Sequence, residues 1–362
     1  MKDSKWRELS VYSLLFLQTT YLMLNSIQAL RALAAWIVVF HHYMQVAYKF
    51  SLTDPVSVAL FKYGAIGVDL FFVISGFVIY LSSSGKSQTP KVFAAHRIAR
   101  IAPAYWLFTL ITTATLILAP GIVPLTIYTP EFLLKSLLFI PAQNPSGIGM
   151  YPIVTMGWTL NYEMAFYAIF FLSLYLPAKF RVSAIIAGVL LMRALLPYIG
   201  GDFIFFKNKI VYEFLFGIGV ALIYQKGYIS KIPPYVAALL VALAFWRVHV
   251  NSPVDHDPYG AGLPCAAILI AALSQERLFS KIGFLGKLGD WSYSTYLCHV
   301  LVICYGLRLQ QQIGLSSLAT FLIITASIAI ASWASFSLIE RPISRFAKNY
   351  LNPKPAYLAS GQ

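Results

Sequence analysis

The sequence predicts an all-α fold, a polytopic transmembrane helical bundle of about ten spans with both termini cytoplasmic. Three observations predict it. Of 362 residues, 59% are hydrophobic and 11% charged, where a soluble domain carries about a quarter charged residues. Apolar runs of bilayer-crossing length recur along the whole chain. Lysine and arginine cluster in alternate connections between those runs.

The spans fall near 27–48, 60–81, 102–120, 158–177, 182–199, 210–225, 234–250, 260–274, 291–307 and 317–339. Each is close to the roughly 17–25 residues that a hydrocarbon core requires, the eighth being the shortest. The longest connection, 121–157, is rich in proline and glycine and contains a surface helix around Glu131–Ile140. Cations follow the even-numbered spans: Lys86, Lys91, Arg97 and Arg100; Lys179 and Arg181; Lys226 and Lys231; Arg277, Lys281 and Lys287; and, in the tail, Arg341, Arg345, Lys348 and Lys354. The opposite loops are poorer in cations, and the one from Asn251 to Pro258 carries Asp255 and Asp257. By the positive-inside rule the cation-rich loops face the cytoplasm. The formal charge of +14 is thereby explained by topology, without nucleic-acid binding. Cys265, Cys298 and Cys304 lie in or beside apolar spans with no metal-type spacing, so neither a disulfide framework nor a zinc site is indicated.

Ahead of the first span, residues 9–24 form a short apolar run after Lys2, Lys5 and Arg7. It resembles a signal-type segment without a small-residue cleavage site. It reads as an interfacial helix in an N-terminal extension (1–24), before a transmembrane domain at 25–346 and a cytoplasmic tail at 347–362. Translation from Met23 is the alternative.

Charged residues inside the spans are expensive in lipid and point to function. Arg31 and His42 lie eleven positions apart, about three helical turns, and so share a face roughly 16 Å apart along the axis. A snorkelling arginine and a helix-packing histidine are the plainer alternative. Two such groups on one face suit an anionic substrate served by a base titrating near neutrality. His41 points about 100° away from His42. Arg97 and Arg100, three apart, share a face at the cytoplasmic surface and make a phosphate clamp or an ordinary topological anchor, with His96 and Lys91 extending the patch. Asp69 sits in the stretch from Gly67 to Gly76, whose Gly67, Ser75 and Gly76 permit close approach of a helix or ligand. As a carboxylate in lipid it requires an arginine or histidine. Glu163, one to two turns in from the outer surface, requires a proton or cation, and Glu213 likewise. Trp158 and Tyr162 are either site residues or an interfacial aromatic belt. His299 is the third intramembrane histidine. It adjoins Cys298, but adjacent residues diverge on a helix, so the two do not form a catalytic pair.

In order along the chain, these segments resemble the acyltransferase-3 family of integral membrane acyltransferases, most closely its exopolysaccharide ExoZ-like branch. The resemblance covers about Ile27 to Phe346. Arg31 and His42 match the family's basic residue followed after ten residues by histidine. Arg97 and Arg100 match its arginine pair, and Gly67 to Gly76 its phenylalanine-rich segment ending in Ser-Gly. Trp158, Leu160, Glu163, Phe166 and Tyr167 match the tryptophan-to-tyrosine segment. Ser292, Tyr293, Tyr296, Leu297 and His299 match the late Ser-Tyr motif, and Glu340 and Pro342 the terminal one. Residues 1–22 depart from the pattern.

The resemblance implies transfer of an acyl group, most often acetyl, from acetyl-CoA or another acyl-CoA to a hydroxyl of a surface or exopolysaccharide glycan or its lipid-linked precursor. It implies His42 as general base with Arg31 and Glu163 in the catalytic set, and Arg97, Arg100 and Arg31 binding the donor. Asp69, Ser75, Trp158 and His299 are left to contact the acceptor or orient the base. No metal is expected. The expected setting is a bacterial inner (cytoplasmic) membrane, crossed many times, with polysaccharide-assembly proteins as partners. No appended periplasmic esterase-like domain is expected, so any relay step calls for another protein. A polytopic glycan or lipid transporter or flippase would also carry buried charges but would not need the arginine pair. A non-catalytic scaffold leaves Arg31 and His42 unexplained.

Overall fold

A computed structural model describes residues 24–48, 54–83 and 89–351. The expected interfacial segment 9–24 falls, but for Leu24, outside the described residues, as do Lys86 and positions 352–362. All regular elements described are helical: α1 (Asn25–Tyr48), α2 (Pro55–Tyr63), α3 (Ile66–Ser83), α4 (Pro90–Leu118), α5 (Pro130–Leu137), α6 (Trp158–Ser173), α7 (Ala178–Leu195), α8 (Glu213–Gln225), α9 (Pro234–Val250), α10 (Leu263–Ser274), α11 (Glu276–Phe279), α12 (Gly283–Ile313), α13 (Ser317–Ser335) and α14 (Arg341–Leu351). Single π-helical turns at Pro258–Gly262 and Phe336–Glu340 lead into α10 and α14.

Among the described residues four helical stretches are long and apolar enough to cross a bilayer: Pro55–Ser83, Pro90–Leu118, Ala178–Ile199 and Ser317–Leu351. Pro234–Val250 and Pro258–Ser274 are apolar but shorter. The first expected span, now α1, is not among the four, because Gln28, Arg31, His41, His42 and Gln45 dilute its hydropathy. Boundaries also move. The third helix begins at Pro90, not at 102, because Thr89 accepts from the Val92 amide and Pro90 occupies the first turn. Arg97 and Arg100 therefore lie within it. The second expected span is a helix pair interrupted at Gly64–Ala65. The sixth starts only at Glu213, after short 3-10 turns that occupy much of 196–212. The surface helix expected at Glu131–Ile140 is present as α5, capped by Thr129.

The chain forms two compact units, divided within α12 between Ser292 and Tyr293. The first comprises residues up to 88 and 208–292. Its core gathers Leu30 and Ala34 of α1, Leu70, Val73, Ile74 and Phe77 of α3, Val220 and Ala221 of α8, and Cys265 and Leu269 of α10. Helices α3 and α8 cross backbone to backbone. A Cβ on Gly76 would lie 2.1 Å from the Phe214 carbonyl oxygen, and one on Gly217 2.1 Å from that of Val73. This is the close approach that small residues permit where no solvent drives association. The second unit comprises 89–207 and 293–362. There α4 packs on α5, α6 and α14. Pro103 lies inside α4, where it removes one intrahelical hydrogen bond.

Candidate functional site

In the first unit α1 is continuous from Asn25 to Tyr48, so Arg31 and His42 keep the shared face that their spacing predicts, and both are half-buried. The Arg31 guanidinium lies 3.5 Å from Gln28 Oε1, and Gln28 Nε2 donates to Asp290 at 2.9 Å. The two neighbouring histidines differ. His41 is buried, its Nδ1 3.1 Å from the Leu60 carbonyl and its Nε2 3.0 Å from the Gln45 amide nitrogen. A carbonyl only accepts, so Nδ1 carries the proton and Nε2 accepts from Gln45. That is the packing role. His42 Nδ1 lies 3.0 Å from the carbonyl of Val38, one turn back on its own helix. The same logic puts the proton on Nδ1 and makes Nε2 the basic nitrogen.

Asp69 has the histidine partner its burial demands, though not one singled out from sequence. His256, in the loop before α10, places Nδ1 3.0 Å from Asp69 Oδ2. The signal was present as an imidazole between Asp255 and Asp257, in a loop otherwise read only for its acidity. Glu213, at the start of α8, adjoins Asp69, and both are fully buried. Among the described residues no hydrogen bond of ordinary geometry reaches three of their four oxygens, although the two carboxyls interact. Gly262 makes this possible, because a Cβ there would stand 2.7 Å from Glu213 Cγ. Burial depresses the His256 pKa, but the Asp69 carboxylate, followed by Asp255, more than offsets it and leaves the imidazole raised.

In the second unit Arg97 is buried, with its guanidinium carbon 5.3 Å from the Phe93 ring centroid and 5.7 Å from that of Tyr167. Arg100, one turn on, is half-buried. Arg97 is thus largely shielded from water by aromatic rings of its own unit. Glu163, expected one to two turns in from the outer surface, and Arg97, expected at the cytoplasmic one, lie closer than those readings imply, within electrostatic reach of each other. The earlier start of α4 carries Arg97 two turns into the helix, level with α6. Glu163 Oε1 accepts from Tyr167 Oη at 2.5 Å, so cation, aromatic ring and carboxylate form one set. Tyr167 was noted only as a motif position.

Trp158 is half-buried and packs edge-on against Tyr162, ring centroids 6.0 Å apart. The Tyr162 hydroxyl donates to the Phe205 carbonyl, so Tyr162 is core rather than interfacial belt. His299 is fully buried, with Nδ1 3.1 Å from the Thr295 carbonyl, and its ring neighbours Tyr296, whose hydroxyl meets Thr159 at 3.2 Å. Cys298 turns to Ser332 at 3.7 Å. Glu340 accepts from Ser294, which also reaches Ser335 at 2.6 Å. The late Ser-Tyr motif and the terminal motif thus meet through side chains at the π-helical turn. Ser75 lies half-buried on α3 of the first unit. Among the described residues no three of histidine, cysteine, aspartate or glutamate gather so as to hold a metal ion.

The profile described as an acyltransferase domain matches residues 24–338. The chain belongs to the acyltransferase-3 family. Within it the chain falls in the ExoZ-like branch. It is 32% identical over 290 residues to the exopolysaccharide production protein ExoZ of Rhizobium meliloti (strain 1021), covering 79% of this chain and 91% of that protein. It is 28% identical over 368 residues to the acyltransferase MdmB of Streptomyces mycarofaciens, covering 89% of this chain and 92% of that one. No solved structure matches the chain. Family and helix composition together make this a membrane acyltransferase.

Proposed function

We propose that this acyltransferase moves an acyl group, acetyl foremost, from acyl-coenzyme A to a hydroxyl of a surface or exopolysaccharide glycan or its lipid-linked precursor. The similarity to a protein of exopolysaccharide production supports the glycan acceptor. The observation that carries the chemistry is the His42 Nδ1 contact with the Val38 carbonyl. A carbonyl only accepts, so this contact supports the tautomer whose Nε2 is unprotonated and able to act as the base. The acceptor hydroxyl oxygen attacks the thioester carbon while His42 Nε2 takes its proton. The carbon–sulfur bond then breaks, and His42 returns the proton to the departing thiolate. General-base assistance of this kind contributes roughly 100- to 10,000-fold.

Arg97 and Arg100 hold the donor's phosphates. A guanidinium shielded from bulk water by Phe93 and Tyr167 is a stronger anion partner than one in solvent. Arg31 assists the donor and the transition-state charge. Glu163, held by Tyr167, balances the Arg97 cation. Asp69, Ser75, Trp158 and His299 serve the acceptor side. The protein resides in a bacterial inner membrane, crosses it about ten times with both termini in the cytoplasm, and works beside polysaccharide-assembly proteins.

Two measurements test this reading. Mass spectrometry of surface and capsular glycans, from cells with and without the gene, should show an acyl increment lost with the gene. Purified protein should release free thiol from acetyl-coenzyme A when glycan is added. Unaltered glycans together with no thiol release would favour a transporter.

A further inference from the structure

The loop Asn251–Asp257 is bonded to the first unit more elaborately than a connector requires. His256 adopts φ +60°, a left-handed conformation that costs a residue with a Cβ about 1 kcal/mol or more. Asp257 accepts from the amides of Tyr259 and Gly260, each at 3.0 Å, and so opens the π-helical turn that brings Gly262 against Glu213. Single π-helical turns frequently mark functional positions. Beneath the loop lie the two fully buried carboxyls with three incompletely bonded oxygens, each a sizeable desolvation cost. A neutral amide would tie down a loop more cheaply.

A chain of bonds leads from this cluster to the first helix. His256 Nδ1 lies 3.0 Å from Asp69. The Val254 amide of the same loop donates to the Lys62 carbonyl at 3.0 Å, at the end of α2. Two residues earlier on α2, the Leu60 carbonyl accepts from His41 Nδ1 at 3.1 Å. His41 is held from its other side by Gln45 at 3.0 Å. Its ring meets that of His42 edge-on, with centroids 5.2 Å apart. Loop, short helix and first helix are thus linked end to end, and the series of contacts leads to His42.

We propose that Asp69, Glu213 and His256 form a charge-dependent latch that sets the position of His42 through α2 and His41, with His256 and Asp69 as positioning residues. The inference rests on reading His42 as the general base. The groups facing the latch are Asp69 from α3, Glu213 from α8, His41 from α1, and Asp255 and Asp257 of its own loop. Lys209 stands 3.9 Å from Asp257, Cys265 of α10 is within electrostatic reach of both carboxyls, and the Tyr63–His249 pair at 2.8 Å follows Lys62, to whose carbonyl the loop is bonded. Carboxyls dominate this set, so a cation at position 256 is what they stabilise. Protonated His256 closes the latch, and its deprotonation opens it.

The test compares His256→Gln, which removes the cation, with His256→Arg, which keeps it, using the full-length protein in detergent. His256→Gln should lower kcat by roughly tenfold to a hundredfold, the range expected when a catalytic group shifts by about an ångström, with KM for acetyl-coenzyme A unchanged. His256→Arg should restore kcat and hold it at alkaline pH, where the wild-type rate declines. Hydrogen exchange gives a readout without chemistry: protection of Val38–Tyr48 and Pro55–Tyr63 should fall in His256→Gln and recover in His256→Arg. A His256→Gln enzyme with wild-type kcat and pH profile, or exchange altered only within 251–262, would overturn the latch. His42→Ala in the same assay separates the two readings, because activity surviving there removes the base while the exchange result still judges the latch.

Discussion

His41 and His42 are adjacent in sequence and have opposite tasks. Both ring nitrogens of His41 are engaged in packing α1 against α2 and Gln45, whereas the His42 ring is oriented by its own helix. His42→Ala should therefore abolish acyl transfer in protein that inserts and folds normally. His41→Ala should be milder, lowering kcat by roughly tenfold to a hundredfold as it uncouples His42 from its support, and lowering the thermal midpoint, since it strips a buried carbonyl of its donor at a cost of about 1–3 kcal/mol. Rates normalised to membrane abundance, with melting curves beside them, check this; equal loss of rate in both variants would defeat the assignment. The arginine pair yields a second expectation. Lysine keeps the charge but not the bidentate fork, so Arg97→Lys with Arg100→Lys should weaken acetyl-coenzyme A binding by at least roughly tenfold without disturbing insertion. Titration of the purified double variant with donor decides it, and unchanged affinity would remove both residues from the donor site. That the two arginines share a face was legible in the sequence. That Arg97 is buried between aromatic rings was not, because a charge before an apolar run looks the same whether the helix starts there or two turns earlier.

Elements were easier to find than to delimit. Hydropathy marked α3, α4, α7 and α13 because a helix that meets lipid must be apolar over most of its length. It shortened α12, which continues through Lys287 and Arg308 at its polar ends, and it missed the interruption at Gly64–Ala65. The loop preceding α10 shows how an element's ends acquire function. Because His256 is raised by its carboxylate neighbours, its folded pKa lies above the unfolded value of about 6.5. The stabilisation it provides is then complete below about pH 6.5 and fades as pH climbs through the folded value. Wild-type protein should melt higher than His256→Gln at pH 6, with the gap narrowing by pH 9. Melting curves at both pH values test this, and a gap constant with pH would deny the imidazole its charge.

At the scale of the whole molecule, the family match begins at residue 24, and the proposed chemistry uses nothing before it. A chain starting at Met23 should insert with the same orientation, since the internal loops retain the cations that set topology, and should acylate at a comparable rate. Normal insertion with lost activity would show instead that residues 9–22 help build the site. The sequence by itself determined the all-helical membrane class, the family, and the order of its motifs. Those properties follow from composition, span length and local spacing, all carried along a single strand. Only the tertiary structure decided which charges meet: His256 with Asp69, Glu213 beside them, Arg97 with Tyr167 and Glu163, and Glu340 with Ser294. In each case the partners come from different segments of the chain, and a charged group in a low-dielectric interior takes the neighbour that packing supplies. Periodicity says which face a residue is on, but which helix lies against that face is settled by contacts such as Gly76 on Phe214, whose geometry no spacing along the chain reveals.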